Sequence, residues 1–301
     1  MTTSAVTPQS RAAHLRRISQ SLLNLPTLPT FAAKLLDLVD NPRTNAAHLS
    51  QFVAQDQVIT ARLLKMCNSS YYGLGREISS VHQAVVILGF DMVREVSLGV
   101  SVINAFRSAK SLDGFDLSGF WDHSFAVGSA ARRIAKGWLP HMSSEAFTAG
   151  LLHDIGKVLL IQYLPEDFAE ILATAQRTSR NLNDVEREFL DTDHGQIGGW
   201  LAERWKLPKA LADAMAYHHH LEDCPTEHRD LAAVVQLSDL LCRLLKAGQG
   251  GNPAPAVISR ELYDLLWSWG MQPTIEGLKP LLTELAQEFG DLSTMRAELL
   301  N

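Results

Sequence analysis

The apolar residues of this 301-residue chain recur at intervals of three and four positions, the period of an amphipathic α-helix. Alternating patterns typical of β-strands are scarce. In "TLPTFAAKLLDLVDN", Thr30 is a candidate N-cap, and the apolar positions after it keep helical spacing. Two helices divided near Leu88-Gly89 are predicted in "SVHQAVVILGFDMVREVSLGVSVINAF", and further helices are predicted near 120–137, 144–176, 184–206, 208–220 and 230–247. The chain is therefore predicted to be all-α.

Two stretches rich in turn-forming residues divide the helical pattern. "RSAKSLDGFDLSG" (107–119) is rich in Ser, Asp and Gly, and "AGQGGNPAPA" (247–256) has the composition of a linker. We therefore predict a lead-in at 1–20, an N-terminal helical subdomain at 21–110, a second helical subdomain at 111–247 and a C-terminal helical extension at 257–301.

Composition and charge narrow the class of protein. Apolar residues make up 46% and charged residues 20% of the chain, which is typical of a protein with a large core. A net charge of −6 argues against non-specific nucleic-acid binding, which needs a basic surface.

The three cysteines are widely spaced and fit neither a disulfide framework nor a zinc finger. No run approaches the ~18 apolar residues of a membrane span, and no signal peptide is evident, so we expect a cytoplasmic protein without a membrane partner.

Several ionisable residues occupy positions where helices are expected to be apolar. His123, for example, shares a stripe with Val127 and Ile134, and Asp239 lies in the apolar run "LAAVVQLSDLLCRLL". A buried carboxylate is costly unless it is paired or metal-bound. One or two metal ions would satisfy the whole set, and a hydrogen-bonded polar core is the alternative. The candidate metal ligands are His123, His153, Asp154, His194, His218, His219 and Asp239.

The donor set also limits the choice of metal. Mixed imidazole and carboxylate ligands suit Fe, Mn, Zn or Co better than Ca or Mg. We expect one or two divalent transition-metal ions, with Fe or Mn preferred and Zn or Co as alternatives.

The stretch "GLLHDIGK" contains two adjacent candidate ligands. On a helix, His153 and Asp154 would point about 100° apart, so that one anchors a metal while the other bridges to a second ion or turns inward. Lys157 follows one turn later and is either a positive charge for a phosphate or oxyanion, or a solvated lysine. Asp154 and Lys157 are therefore the candidate catalytic residues. Gly156 is expected to permit close helix packing.

The remaining histidines are expected to lie outside the site. His14, His48, His220 and His228 are predicted to be exposed, and His141 precedes a helix start and is assigned no role.

The order His…His-Asp…His…His-His…Asp resembles the ligand pattern of the HD superfamily of metal-dependent phosphohydrolases. More specifically, roughly residues 20–245 resemble the HDOD family, the HD-related output domains of bacterial signalling proteins. The segments that carry this resemblance include "LPTLPTFAAKLLDLV", "FWDHSFAVGSAARRIA", "AGLLHDIGKVLL" and "DHGQIGGWLAERWKLPKALADAMAYHH". The turn Asn68-Ser69-Ser70-Tyr71-Tyr72-Gly73 and the step Trp205-Lys206-Leu207-Pro208 are its most specific marks.

The resemblance implies an HD-type helical core between an N-terminal helical subdomain and a C-terminal extension, with the seven candidate residues as ligands. It also implies a regulatory signalling protein that binds a signalling partner or a small nucleotide or phosphate ligand. The alternative is a metal-dependent phosphohydrolase acting on a nucleotide or phosphodiester. Two departures from the HD-GYP branch, which hydrolyses cyclic di-GMP, argue against that activity. No Gly-Tyr-Pro motif follows the paired histidines, and Gly119 stands where that branch often has an acid, one turn before the first histidine.

Overall fold

The computed structural model describes residues 27–40, 43–68, 78–106 and 112–299, and in these ranges it confirms the all-α prediction. The only β-type pairing there is an isolated bridge between Leu112 and Phe115. The predicted lead-in at 1–20 and most of the Asn68–Gly73 turn lie outside the described residues. None of the helices in the described ranges is long and apolar enough to cross a membrane.

The N-terminal helices precede residue 107 and match the predicted division at Gly89. They are α1 (Thr30–Asp40), α2 (Ala46–Val53), α3 (Gln57–Cys67), α4 (Val81–Leu88) and α5 (Phe90–Ala105).

The remaining helices follow residue 111. They are α6 (Leu117–Trp138), α7 (Ser143–Leu152), α8 (Ile155–Tyr163), α9 (Pro165–Thr178), α10 (Leu182–Leu190), α11 (His194–Arg204), α12 (Lys209–Tyr217), α13 (Arg229–Leu244), α14 (Arg260–Ser268) and α15 (Ile275–Leu299). Single 3₁₀ turns occupy Pro140–Met142 and Leu221–Asp223.

The described chain divides into two compact units. One unit contains residues 112–282, and the other contains residues 28–106 with 283–299. All seven candidate metal ligands belong to the first unit. The second unit has its own apolar core, in which Leu35, Leu49 and Leu63 are fully buried.

Helices α6 and α7 cross at close range in the first unit. A Cβ atom added at Gly150 would lie 2.8 Å from the Val127 carbonyl oxygen and 2.9 Å from the Gly128 Cα, so the crossing depends on glycine at position 150. The close crossing brings the end of α7, where His153 lies, next to His123 on α6. The apolar faces of α6, α7 and α13 form the core around these side chains.

The segment 144–176, predicted as continuous helix, is broken twice. The first break is at His153 and Asp154, which follow α7 and precede α8. The second is at Leu164, whose φ/ψ of −135°/49° leaves the helix before Pro165 begins α9. The premise that His153 and Asp154 lie within one helix was therefore wrong, and their directions follow from the junction.

The segment 184–206 is also two helices. Asp191 ends α10 in the left-handed region, with φ +57°. Asp193 then caps α11, because its Oδ1 accepts a hydrogen bond from the Gln196 amide at 2.9 Å. Since Asp193 is the N-cap, His194 stands at the first helical position and its side chain points into the interior.

Candidate metal centre

The structure brings all seven candidate ligands together from five parts of the first unit. Helix α6 contributes His123, the α7–α8 junction contributes His153 and Asp154, and the start of α11 contributes His194. His218 and His219 follow the last turn of α12, and Asp239 comes from α13. Their ligand atoms form two groups, each with atoms within 4.8 Å of one another: Asp154, His194, His218 and His219 in the first, and His123, His153 and Asp239 in the second.

The first group is centred on Oδ1 of Asp154. Nε2 of His194 lies 3.0 Å from this oxygen, and Nε2 of His218 lies 3.8 Å from it. Nε2 of His219 lies 3.0 Å from Nε2 of His194. Four potential ligand atoms thus converge on one small volume.

The second group is centred on Oδ1 of Asp239. Nε2 of His123 lies 2.8 Å from this oxygen, and Nε2 of His153 lies 4.0 Å from it. Nε2 of His153 is also 3.3 Å from Oδ2 of Asp154. Asp154 therefore presents one carboxylate oxygen to each group, as a residue bridging two sites would.

The Nδ1 atoms of four histidines face outward from the cluster toward acceptors. Three of these contacts are with backbone carbonyls: His123 with Ala247 at 3.2 Å, His153 with Gly150 at 2.7 Å and His218 with Met215 at 2.7 Å. In the fourth, Nδ1 of His194 lies 2.6 Å from Oε2 of Glu186. A carbonyl or carboxylate oxygen can only accept, so Nδ1 carries a proton in each of these rings, and a ring that is neutral then presents the lone pair of Nε2 to the cluster.

The unpaired polar atoms of the cluster fit a metal cation. Nε2 of His153, Nε2 of His218 and Oδ1 of Asp154 are buried and make no hydrogen bond of acceptable geometry among the described residues. Ligands about 2.0–2.1 Å from a divalent metal lie roughly 2.8–3.4 Å apart at neighbouring octahedral or tetrahedral positions. The shortest separations in the first group are 3.0 Å, so its residues fit a metal ion.

Comparison with known proteins identifies the family. The family model of the HDOD domain matches residues 25–221, about two thirds of the chain. This chain belongs to the HDOD family. The matched span contains all the candidate ligands except Asp239, and the resemblance drawn from the sequence is confirmed.

Solved structures support the same assignment. An HDOD domain protein with unknown function from Geobacter sulfurreducens is 26% identical, with a TM-score of 0.75 over 96% of this chain and 97% of that one. A "Putative phosphohydrolase" from Shewanella amazonensis SB2B is 27% identical, with a TM-score of 0.70 over 94% of this chain and 98% of that one. Among curated proteins, an uncharacterized protein of Treponema pallidum (strain Nichols) is 25% identical over 76% of this chain. The match spans only 44% of that relative's length.

The two carboxylates in the cluster of this HDOD protein have lowered pKa values although they are buried. Burial alone would raise the pKa of Asp154, but the neighbouring charges, led by His153 and Lys157, hold it well below its usual range. Burial likewise opposes ionisation of Asp239, and the hydrogen bond from His123 lowers its pKa. Both carboxylates are therefore anionic and available to bind a cation.

The three histidines of the first group differ in pKa. Burial favours the neutral ring of His194, yet the Glu186 carboxylate raises its pKa to about 9. Burial, with the charges of neighbouring histidines, lowers the pKa of His218 to about 3, and burial lowers that of His219 well below its usual value. Without a metal, the proton in this group resides on His194.

Lys157 is a buried part of the centre and not a solvated lysine. Its Nζ lies 2.5 Å from Oδ2 of Asp154 and donates a second hydrogen bond, of 2.7 Å, to the Gly250 carbonyl oxygen.

Gly156 has the packing role expected for it, because a Cβ atom there would lie 1.9 Å from the His194 carbonyl oxygen. The contact fixes α8 against the start of α11 and so positions Asp154 beside His194.

Glu186 is a functional residue that the sequence reading missed. It is fully buried on α10, and its Oε2 accepts hydrogen bonds from both the amide and the Nδ1 of His194, at 2.8 and 2.6 Å. Its position among Leu182, Val185 and Phe189 is the same signal that identified the other ligands, an acid within an apolar helical stripe.

The described histidines that were expected to lie outside the site belong to neither group of candidate ligands, but two of them are not exposed. His220 is partly buried with Nε2 3.2 Å from Nδ2 of Asn183, and His228 is partly buried with Nδ1 2.7 Å from Oδ2 of Asp213. The prediction of exposure was wrong for both because each ring packs against a polar side chain. His48 and His141 are exposed, and His14 lies outside the described residues.

Proposed function

We propose that this protein is a regulatory HDOD module of bacterial signal transduction whose His/Asp cluster binds one or two divalent transition-metal ions. The observation that supports this is the set of buried Nε2 lone pairs facing two anionic carboxylates. Two acceptors at hydrogen-bond distance need a cation between them, either a proton or a metal. Fe or Mn is the preferred ion, with Zn or Co as alternatives.

The output of the module is binding of a ligand or partner. Six of the seven candidate ligands are buried, and the ammonium of Lys157 is already engaged by Asp154 and Gly250. A site enclosed in this way holds an ion firmly but gives a large substrate no direct access. A signalling protein or a small nucleotide or phosphate ligand is the proposed partner, and the cytoplasm is the proposed location.

Elemental analysis of protein purified without chelator tests the metal. We expect at least one equivalent of a transition metal, lost from a variant carrying both His153→Ala and Asp154→Ala. A matched control carries His141→Ala, since His141 is exposed and remote from the cluster. Less than about a tenth of an equivalent, with none gained on reconstitution with Fe or Mn, contradicts the proposal.

A metal-dependent phosphohydrolase is the second candidate. It is favoured by the complete ligand set, by Lys157 beside Asp154, and by the likeness to the Shewanella amazonensis structure. A divalent metal would supply Lewis-acid polarisation of phosphate oxygens, while Lys157 would bind phosphate charge. A panel of phosphomonoesters, nucleotides and cyclic dinucleotides with Mn or Fe distinguishes the candidates. Turnover abolished by the His153→Ala and Asp154→Ala pair would favour the enzyme.

A further inference from the structure

Residues 247–252, here called the strap, lie directly against the metal centre. The composition predicted a linker, yet two of its backbone groups contact residues of the site and a third contacts Gly119, one turn before His123. The Ala247 carbonyl lies 3.2 Å from Nδ1 of His123, the Gln249 amide donates to the Gly119 carbonyl at 2.8 Å, and the Gly250 carbonyl accepts from Lys157 at 2.7 Å. The strap is therefore part of the site's wall.

The strap can lie this close to the site because glycine, which has no side chain, occupies positions 248 and 250. A Cβ atom at Gly250 would lie 3.0 Å from Nε2 of His123 and 3.6 Å from Oδ2 of Asp154, and one at Gly248 would lie 2.2 Å from the His123 amide nitrogen. Gly119 also leaves little room for a side chain facing the strap, since a Cβ atom there would lie 3.2 Å from Cβ of Gln249. The strap thus packs beside His123 at positions where an added side chain would clash.

The Gly250 carbonyl occupies a position suited to a phosphate oxygen. An ammonium has three donors, and Lys157 gives one to Asp154 and one to Gly250 inside a buried site. An anionic oxygen is a stronger acceptor for an ammonium than a neutral carbonyl oxygen. A phosphate that displaced the strap would therefore take the donor that Gly250 now holds, while the ion pair with Asp154 stays in place.

The far end of the strap is held by contacts outside the metal centre. Oδ1 of Asn252 accepts hydrogen bonds from the amides of Leu182 and Ala254, at 3.3 and 3.2 Å. Arg243 adds a hydrogen bond to the Ala254 carbonyl. The Leu182 contact stabilises the closed strap without involving a candidate ligand.

We propose that the strap is an intrachain lid whose Gly250 carbonyl stands in for a phosphate oxygen at Lys157, so that a phosphate-bearing ligand binds by displacing it. The inference rests on the proposed ligand-binding function and adds its regulation. The observed affinity for phosphate is then the intrinsic affinity reduced by the fraction of molecules with an open strap. Loosening the strap raises affinity although it adds no contact to the ligand.

Inorganic phosphate is the probe, and isothermal titration of the Asn252→Ala variant is the test. Removing the hydrogen bond to Leu182 should favour the open strap and tighten phosphate binding by up to about tenfold over the wild type. Val257→Ala is the matched control, because Val257 is exposed just beyond the strap. Equal phosphate affinity in all three proteins, or no phosphate binding in any of them, overturns the proposal.

Amide hydrogen exchange of the wild type gives a second readout that needs no variant. Phosphate should release the protection of the Gln249 amide, which the closed strap donates to Gly119. Bound phosphate with that protection unchanged overturns the lid. Both measurements are made on the protein with and without added Mn. A protein that binds no metal contradicts the proposed function alone, and the lid is judged only by the response to phosphate.

Discussion

Nε2 of His194 and Nε2 of His219 face each other at 3.0 Å, a distance at which two nitrogen lone pairs repel unless a cation lies between them. Nδ1 of His194 already donates to Glu186, so in the metal-free protein the cation is the proton on Nε2 of His194. A metal ion in the first group would take the place of this proton. Metal binding and protonation of His194 are therefore competitive, which gives the centre a defined pH response.

The stability of the metal-free protein should fall between pH 6.5 and 9. The folded pKa of His194 is about 9 against an ordinary value of 6.5, so its contribution is fully present below pH 6.5 and is lost as the pH rises through 9. The expected loss is on the order of 3 kcal/mol, measured by urea unfolding in the presence of chelator. Glu186→Gln removes the main cause of the raised pKa, so this variant should show a much flatter dependence. Equal slopes for the two proteins would contradict the assignment of the proton to His194.

Glu186→Gln should also weaken metal binding. The carboxylate orients the His194 ring through the hydrogen bond from Nδ1, accepts a second one from the His194 amide, and increases the basicity of Nε2; loss of such a partner typically lowers metal affinity about 10–100-fold. Competition with a chromophoric chelator measures the change. Glu188→Gln is the control, because Glu188 lies on the same helix but is exposed and pairs with Arg180 on the surface. Similar affinities for the two variants would show that Glu186 has no orienting role.

Much of this centre was predictable from helical periodicity, since His123 and Asp239 lie on the buried stripes that the sequence shows. The placement of His153 and Asp154 was not, because the pattern does not show that α7 ends at Leu152. The two side chains therefore lie at the junction between α7 and α8 and not on the face of a single helix.

The strap was beyond sequence reasoning for a different physical reason. Glycine and proline in "AGQGGNPAPA" predict the absence of regular structure, and α13 does end before it. Composition does not reveal which surface a coil segment packs on. The contact between Gly250 and Lys157 joins positions 93 residues apart, and the local pattern at neither position encodes it.

Lys157→Met should strongly destabilise the metal-free protein. The side chains of Lys157 and Asp154 are both buried, and removing one partner leaves an anionic carboxylate without its closest cation. Breaking a buried pair in this way costs about 3–5 kcal/mol, measured by urea unfolding in chelator. Bound metal would compensate part of the lost charge, so the cost should shrink in the metal-loaded protein. Arg180→Met breaks an exposed pair and should cost at most about 1 kcal/mol. Equal costs for the two variants would contradict a buried ion pair at the centre.

Gly156→Ala and Gly137→Ala should have opposite effects although both add one methyl group to a helix. At Gly156 the new Cβ atom would lie 1.9 Å from the His194 carbonyl oxygen, which is backbone and cannot move aside without shifting α11. We expect a destabilisation of about 1–3 kcal/mol or more, together with loss of bound metal, because Asp154 and His194 move apart.

At Gly137, near the end of α6, a Cβ atom would meet nothing within 4 Å. Alanine there should stabilise the protein by about 0.5–1 kcal/mol through helix propensity alone, with metal content unchanged. Thermal unfolding and elemental analysis of both variants measure the contrast. Full metal content in Gly156→Ala would mean that the α8–α11 contact does not position the ligands. Comparing the two variants thus distinguishes the general change in stability from adding a methyl group to a helix from the specific loss caused by moving Asp154 away from His194.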